Sequence, residues 1–178
     1  MPTASELQQQ GIKLFQQHDY EAAARTFQQA YEAYTAEGKR DMAAEMQSNI
    51  GIVHRSLGEQ QQALEAVQSA LRTFQELGDQ LRSAQALGNL GGVYVALGDK
   101  EQAYNCYRQA ADIFEVLGEK KFYGETLLAM ADLQVKDGKL MQGAATYEVG
   151  LENIDQLNAS QKVLKGLLGI KNKLTGAK

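Results

Sequence analysis

The sequence predicts an all-α solenoid of four helix pairs followed by a C-terminal capping helix. Three observations support this prediction: a period of forty residues, apolar residues at helical spacing in both halves of each period, and glycine after most predicted helices. A fixed period of this length is typical of stacked helical repeats, which present long surfaces rather than closed catalytic pockets. Small residues recur in two columns, Gly11, Gly51, Gly91 and Ala131, and Ala23, Ala63, Ala103 and Gly143.

Each period divides into two predicted helices. In the second period, helices are expected over residues 40–57 and 60–77, and Gly58 and Gly78 follow them. Glycine after a helix adopts the left-handed conformation at little cost, and Asn158 takes the place of glycine in the fourth period. We therefore predict one domain over residues 1–178, with repeats at about 4–39, 40–79, 80–119 and 120–158.

The last predicted element is a capping helix at about residues 160–174, with Ser160 as its N-cap. Leu167, Ile170 and Leu174 continue the apolar stripe of the preceding repeats. Lys171 stands where those repeats have a small residue. A polar outer face is expected for the terminal element of a solenoid.

Charge is distributed unevenly along the chain. Residues 159–178 contain five lysines and no acidic residue, whereas the rest of the chain has 22 acidic residues against the other 13 of 18 basic ones, a net charge of −9. An acidic body is poorly suited to phosphate contacts, so no nucleic-acid partner is expected. No segment is apolar enough to span a membrane. A single cysteine and the absence of a signal-like N-terminus favour a cytoplasmic location.

The repeat columns resemble the tetratricopeptide repeat (TPR) family. The third repeat matches best, with Gly91, Tyr94, Ala103, Tyr107 and Ala110 at the family's small and large positions. The period of forty departs from the usual unit of about 34 residues, and the proline that often ends the unit is missing. Units with the phrase NLGGVYVALGD, here residues 89–99, resemble GoLoco-binding adaptors and kinesin light chains.

This resemblance implies a right-handed superhelix whose first helices line a concave groove for peptide ligands. The implied groove residues lie in recurring columns: Gln9, Asn49 and Asn89; Ile12, Ile52, Gly92 and Asp132; and Phe15, Arg55 and Val95, with Lys136 beside them. The lysine and asparagine clamp of chaperone-binding family members is replaced by Gln8 and Ile12, so a chaperone-tail adaptor is not expected.

Asn49 and Asn89 have two interpretations that the sequence does not separate. Asparagine is a mediocre helix former, and its amide both donates and accepts hydrogen bonds. These amides could bind the backbone of an extended peptide, or each could bond to the neighbouring repeat. Arg55 suits a ligand carboxylate, with a surface ion pair as the alternative. Asp132 and Lys136, spaced i,i+4, could pair with each other.

The sequence offers no catalytic or metal-binding constellation. His18 occupies a column of helix-ending glycines, and His54 a column of partly buried aromatic residues, without a ligand partner at metal-binding spacing. Cys106 lies in a column of small residues and is expected to be a packing residue. We predict that the protein is not an enzyme and uses no cofactor.

The leading hypothesis is a protein-interaction scaffold that holds a partner peptide or helix in its groove. The alternative is a self-associating structural or assembly subunit. In that case Leu164 and Leu168 of the last helix, together with apolar groove residues, would meet a second copy, giving a homo-oligomer.

Overall fold

A computed structural model describes the backbone of residues 2–175 and the side chains of residues 2–169. All regular elements in these residues are α-helices, and they agree with the predicted pairs. In chain order they are α1 (Ala4–Gln16), α2 (Tyr20–Ala36), α3 (Arg40–Leu57), α4 (Gln60–Glu76), α5 (Gln80–Leu97), α6 (Lys100–Leu117), α7 (Lys120–Lys136), α8 (Leu140–Glu152) and α9 (Ala159–Thr175).

The helices form two compact units, Met1–Cys106 and Tyr107–Lys178, whose boundary falls within α6. In the first unit each of α1 to α4 packs against the helix that follows it. In the second unit α7 packs against α8, and α8 against α9. Consecutive packing of this kind is the arrangement of a TPR-like helical repeat. The single domain over residues 1–178 stays a prediction.

The small columns serve close helix packing, as the sequence indicates. In the first pair a Cβ added to Gly11 would lie 2.7 Å from the ring of Phe27, so only glycine leaves room for that ring. Ala23 and Ala30 of α2 are fully buried in the same cluster. Burial of such side chains is the main favourable contribution to folding.

The predicted helix ends are confirmed by backbone geometry. Glycines 38, 58, 78, 98, 118 and 138 all have φ between +70° and +82°. His18, which shares the column of Gly58, Gly98 and Gly138, has φ +61° and is the one non-glycine residue with positive φ among residues 2–175. A left-handed residue at this point reverses the chain between two helices.

The prediction was wrong about Asn158 and Ser160. Helix α8 ends earlier, at Glu152, and Asn158 caps the start of α9 rather than the end of α8. Its Oδ1 accepts from the Gln161 N–H at 2.9 Å, while Gln161 Oε1 accepts from the Asn158 N–H at 2.9 Å. Two reciprocal bonds of this kind form a capping box. Ser160 therefore lies inside the first turn of α9.

Candidate interaction surface on the first helices

The candidate site in the first unit consists of three stripes, one on the first helix of each of three repeats. We call it the first-helix surface: Gln9, Ile12 and Phe15 on α1, Asn49, Ile52 and Arg55 on α3, and Asn89, Gly92 and Val95 on α5. Within each helix the three residues are spaced i, i+3 and i+6, which places them on one face. None of the nine is buried, and Ile12 is 40% exposed.

Polar contacts join the three helices that carry this surface. Gln8 Nε2 on α1 donates to Glu45 Oε1 on α3 at 2.8 Å. The Arg82 guanidinium on α5 lies 3.2 Å from Asp41 Oδ2 and 3.6 Å from Glu45 Oε2, both on α3. These contacts link α1 to α3 and α3 to α5. They therefore connect the three helices that carry the stripes.

The same network is anchored in the core and at the start of α5. Tyr34 is buried, and its hydroxyl donates to Gln8 Oε1 at 2.7 Å. Asp79 caps α5 by accepting from the Arg82 N–H at 2.9 Å, and it also accepts from Arg82 Nε at 2.6 Å. Burial alone would raise the pKa of Asp79, but these hydrogen bonds and the charge of Arg82 lower it below its usual value.

The two asparagines of the surface differ in their contacts. Asn89 Nδ2 donates to Ser48 Oγ on α3 at 3.3 Å, near the long end of the hydrogen-bond range. Asn49 makes no side-chain hydrogen bond with any of residues 2–169. The interpretation in which the amide bonds to the neighbouring repeat therefore describes Asn89 and not Asn49.

Arg55 is half-buried, and its guanidinium forms no ion pair within the described side chains. The surface ion pair considered as an alternative is therefore not present. An arginine without a carboxylate partner in its own protein can bind a ligand carboxylate through two parallel hydrogen bonds, which the guanidinium donates.

The remaining two candidates, Asp132 and Lys136 on α7, belong to the second unit. Both are exposed. Asp132 accepts a hydrogen bond from the Tyr147 hydroxyl of α8, and no ion pair joins it to Lys136 within the described residues. The i,i+4 pair considered in the sequence is therefore not formed.

Within the described residues, none of His18, His54 and Cys106 belongs to a metal-binding group. His54 has an acidic partner that the sequence did not indicate: its Nδ1 lies 2.5 Å from Glu59 Oε2. His18 Nδ1 lies 2.8 Å from the Tyr20 hydroxyl. Cys106 is 5% exposed within an apolar cluster, and burial, with a smaller effect of Asp99, raises the pKa of its thiol to about 11. A thiol with this pKa is a poor nucleophile at neutral pH.

Two further features bear on the class of site. The described residues contain no group of three or more His, Cys, Asp or Glu side chains arranged to hold a metal ion. Over the same part of the chain, none of the helices combines the length and the apolar character needed to cross a membrane.

Comparison with known families supports the repeat assignment. The tetratricopeptide repeat model matches residues 4–76 and 42–116, which together span more than half of the chain. The protein belongs to the tetratricopeptide repeat family. A search of curated protein sequences finds no match.

The solved structures that share the fold include the following two. BtubC (BKLC) from P. vanneervenii has 16% sequence identity and a TM-score of 0.77, and the match covers 97% of this chain and 73% of that one. Aspartyl phosphate phosphatase F from Bacillus subtilis has 15% identity and a TM-score of 0.81, with 98% of this chain covered and 48% of the phosphatase chain. This chain therefore spans about half the length of the latter protein.

Family membership sets the general function. Tetratricopeptide repeats mediate protein–protein interaction, and the family is typically a non-catalytic scaffold. The contacts of Glu45 and Arg82 that connect the first helices were not predicted from the sequence. Opposite charges on successive first helices, Asp41 on α3 and Arg82 on α5, were the available signal.

Proposed function

We propose that the first-helix surface binds an extended segment of a partner protein, and that the protein acts as a non-catalytic scaffold. The proposal rests on the burial of Asn49 and Arg55 and on their lack of polar partners. Both are half-buried on α3, and neither has a hydrogen-bonding or ionic partner among the described side chains. A partly buried polar group gains most from a ligand, because it has already lost part of its hydration.

The chemistry of the surface defines the ligand. The Asn49 amide can donate to one backbone carbonyl and accept from one backbone N–H. Arg55, six residues further along α3 and about 9 Å away along the helix axis, supplies the positive charge for an acidic side chain or a terminal carboxylate. We expect a peptide with an acidic residue near the backbone segment that Asn49 holds.

Apolar contacts would supply most of the binding free energy. Ile12, Ile52 and Val95 each retain exposed apolar area on successive repeats. Packed helices are about 8–10 Å apart, and an extended chain advances about 3.3 Å per residue, so one repeat meets about three ligand residues. Apolar ligand side chains at that interval would meet these three residues in turn. Asp132 and Lys136 of α7, in the second unit, stay predicted ligand contacts on sequence grounds.

The contacts of Gln8, Glu45 and Arg82 support this proposal, because they reduce the conformational entropy that the surface loses on binding. Helices α1, α3 and α5 are joined by Gln8, Glu45 and Arg82 before any ligand arrives. A surface held in its bound arrangement loses less conformational entropy on association.

The test is affinity capture from native extract followed by mass spectrometry, with wild type and single variants as baits. We expect Asn49→Ala and Arg55→Glu to lose the partner that wild type retains. Gln75→Ala, an exposed glutamine on the second helix α4, is the matched control and should retain it. Equal recovery by all baits, with equal thermal stability, would refute the assignment of this surface.

A further inference from the structure

Helix α8 carries three apolar residues that no described residue covers. Met141 is 71% exposed and Val149 is 43% exposed, and Ala145 between them is also exposed. The spacing of i, i+4 and i+8 places all three on one face of the helix. We call them the α8 stripe. A contiguous apolar patch on a protein surface marks an interaction site.

The same face is polar on the second helix of each of the other three repeats. The residues at the equivalent positions are Glu21, Arg25 and Gln29 on α2, Gln61, Glu65 and Ser69 on α4, and Glu101, Asn105 and Gln109 on α6. Packing within a helix pair therefore does not require apolar residues at these positions. The fourth repeat replaces all three by apolar residues, which indicates that its face meets a partner.

The apolar face predicted on α9 for a second copy is largely covered. Leu168 is only 8% exposed, and Leu164 is half-buried. The side chains of Ile170, Lys171 and Leu174, which were also predicted for this helix, lie outside the described residues. Leu164 and Leu168 therefore offer little apolar area to a second copy.

The α8 stripe is complementary to an antiparallel copy of itself. With Ala145 on a two-fold axis, each residue meets the one equally far on the other side of Ala145, so Met141 meets Val149 of the second copy. Gln142 likewise meets Glu148, to which its amide can donate. The small side chain of Ala145 allows the two helices to approach closely at the centre, while the larger residues pack at both ends.

The ends of α8 are also complementary in this orientation. Lys139 is the N-cap residue of α8, and its side chain makes no capping hydrogen bond. The last residue, Glu152, is exposed and has no ion pair or hydrogen bond among the described side chains. Pairing about Ala145 places residue 152 opposite residue 138 of the second copy, beside its Lys139 and the start of its α8. A carboxylate is stabilised near a helix N-terminus.

The charges of α8 disfavour a lipid surface as the partner. Helices that lie on a membrane carry lysine and arginine on their polar face. Residues 140–152 contain neither, and their only charged side chains are Glu148 and Glu152. The headgroups of anionic lipids would repel both carboxylates.

We propose that the protein forms a two-fold dimer through α8, in which the α8 stripe of one copy packs antiparallel against that of a second copy. A single helix face is smaller than the roughly 1,200 Å² that stable interfaces bury, so we expect a reversible dimer that dissociates on dilution. The contact uses none of the residues of the first-helix surface, and the two proposals are therefore independent.

Sedimentation equilibrium of the full chain over a series of concentrations tests this proposal. Wild type should dimerise as its concentration rises. Met141→Glu, which introduces the residue type of position 101 on α6, should weaken dimerisation at least tenfold, because the charge enters the contact twice. Leu167→Glu is the matched control, since Leu167 is an exposed apolar residue of α9, and it should dimerise like wild type. Circular dichroism should show equal helix content in all three proteins.

Oxidation of cysteine variants with diamide tests the antiparallel arrangement. A disulfide requires Cα atoms about 4.4–6.8 Å apart. Ala145→Cys should form a covalent dimer, because the two copies of residue 145 meet at the axis. Met141→Cys should not, because its two copies would lie about 12 Å apart along the helix axis. The native Cys106 is buried and should not react. Cross-linking at residue 141 and not at 145 would overturn this arrangement.

The remaining outcomes identify other occupants of α8 and would each overturn the proposal. A monomer at every concentration, or a dimer weakened by Leu167→Glu and not by Met141→Glu, would exclude α8 as the dimer contact. Co-sedimentation with phosphatidylglycerol vesicles that is lost in Met141→Glu would assign the stripe to lipid. Capture of another protein by a monomeric wild type, and not by Met141→Glu, would assign it to a different partner.

Discussion

The two units contain close glycine junctions with different kinds of neighbour. In the first unit the glycines of α1 and α3 face large side chains of the helix that follows: Gly11 faces Phe27, and Gly51 faces Val67. In the second unit Gly124 of α7 faces the backbone of another glycine, and an added Cβ would lie 2.7 Å from the Gly150 carbonyl oxygen. A side chain can be shortened or can move, whereas a helix backbone cannot without separating the helices.

The largest expected effects come from filling these junctions. Gly51→Ala and Gly124→Ala should each lower the free energy of unfolding by about 1–3 kcal/mol, because the added methyl group has no room. Because the neighbours differ, shortening the opposing side chain should restore stability at one junction and not at the other. Shortening the opposing side chain should rescue Gly51→Ala in the double variant Gly51→Ala/Val67→Ala, whereas Ile154→Ala should not rescue Gly124→Ala.

Urea denaturation of the single and double variants measures the coupling energy of each pair. A clear favourable coupling is expected for Gly51 with Val67 and little for Gly124 with Ile154. Equal coupling in both pairs would mean that the two junctions are filled in the same way.

An intermediate effect is expected at the start of α5, where Asp79 caps the helix and pairs with Arg82. Asp79→Ala should cost about 1 kcal/mol at neutral pH, the usual contribution of an N-cap. Since the pKa of Asp79 is lower in the folded chain than in the unfolded chain, its stabilisation is present above the unfolded value of about 3.9 and is lost as pH falls through the folded value.

Thermal denaturation between neutral pH and pH 3 tests this dependence. The difference in stability between wild type and Asp79→Ala should shrink below about pH 4. A difference that stays constant, or that grows as pH falls, would contradict the assigned direction of the shift.

The smallest effect has the opposite sign. Gly88 lies in the middle of α5, and an added Cβ would meet nothing within 4 Å. Gly88→Ala should therefore stabilise the protein by about 0.5–1 kcal/mol through helix propensity alone. Calorimetry should record a higher melting temperature, and a lower one would indicate that the open space beside Gly88 is needed by a neighbouring group.

The helix ends could be predicted because the left-handed conformation selects glycine strongly. His18 was found by the same column, since the period required positive φ there. Asn158 was misassigned because asparagine favours both the end of one helix and the N-cap of the next. The period alone does not say that α8 stops early, at Glu152.

The candidate surface could be predicted as a set of columns but not in its contacts. Asn49 and Asn89 are equivalent in the sequence, but Ser48 lies within hydrogen-bond reach of Asn89. In the same way, periodicity predicts an apolar face on α9 but not that Leu168 is buried while Leu167 is exposed. Both distinctions depend on where a neighbouring helix lies, and the residue type at a single position does not indicate this.

The contrast between Asn49 and Asn89 gives the most direct test of the proposed first-helix surface. Isothermal titration calorimetry of the captured partner peptide should be performed with wild type, Asn49→Ala and Asn89→Ala. We predict that Asn49→Ala weakens binding about tenfold or more without lowering thermal stability, because its amide has no partner in the free protein. Unchanged affinity in a stably folded Asn49→Ala protein would contradict the proposal that this surface holds the peptide.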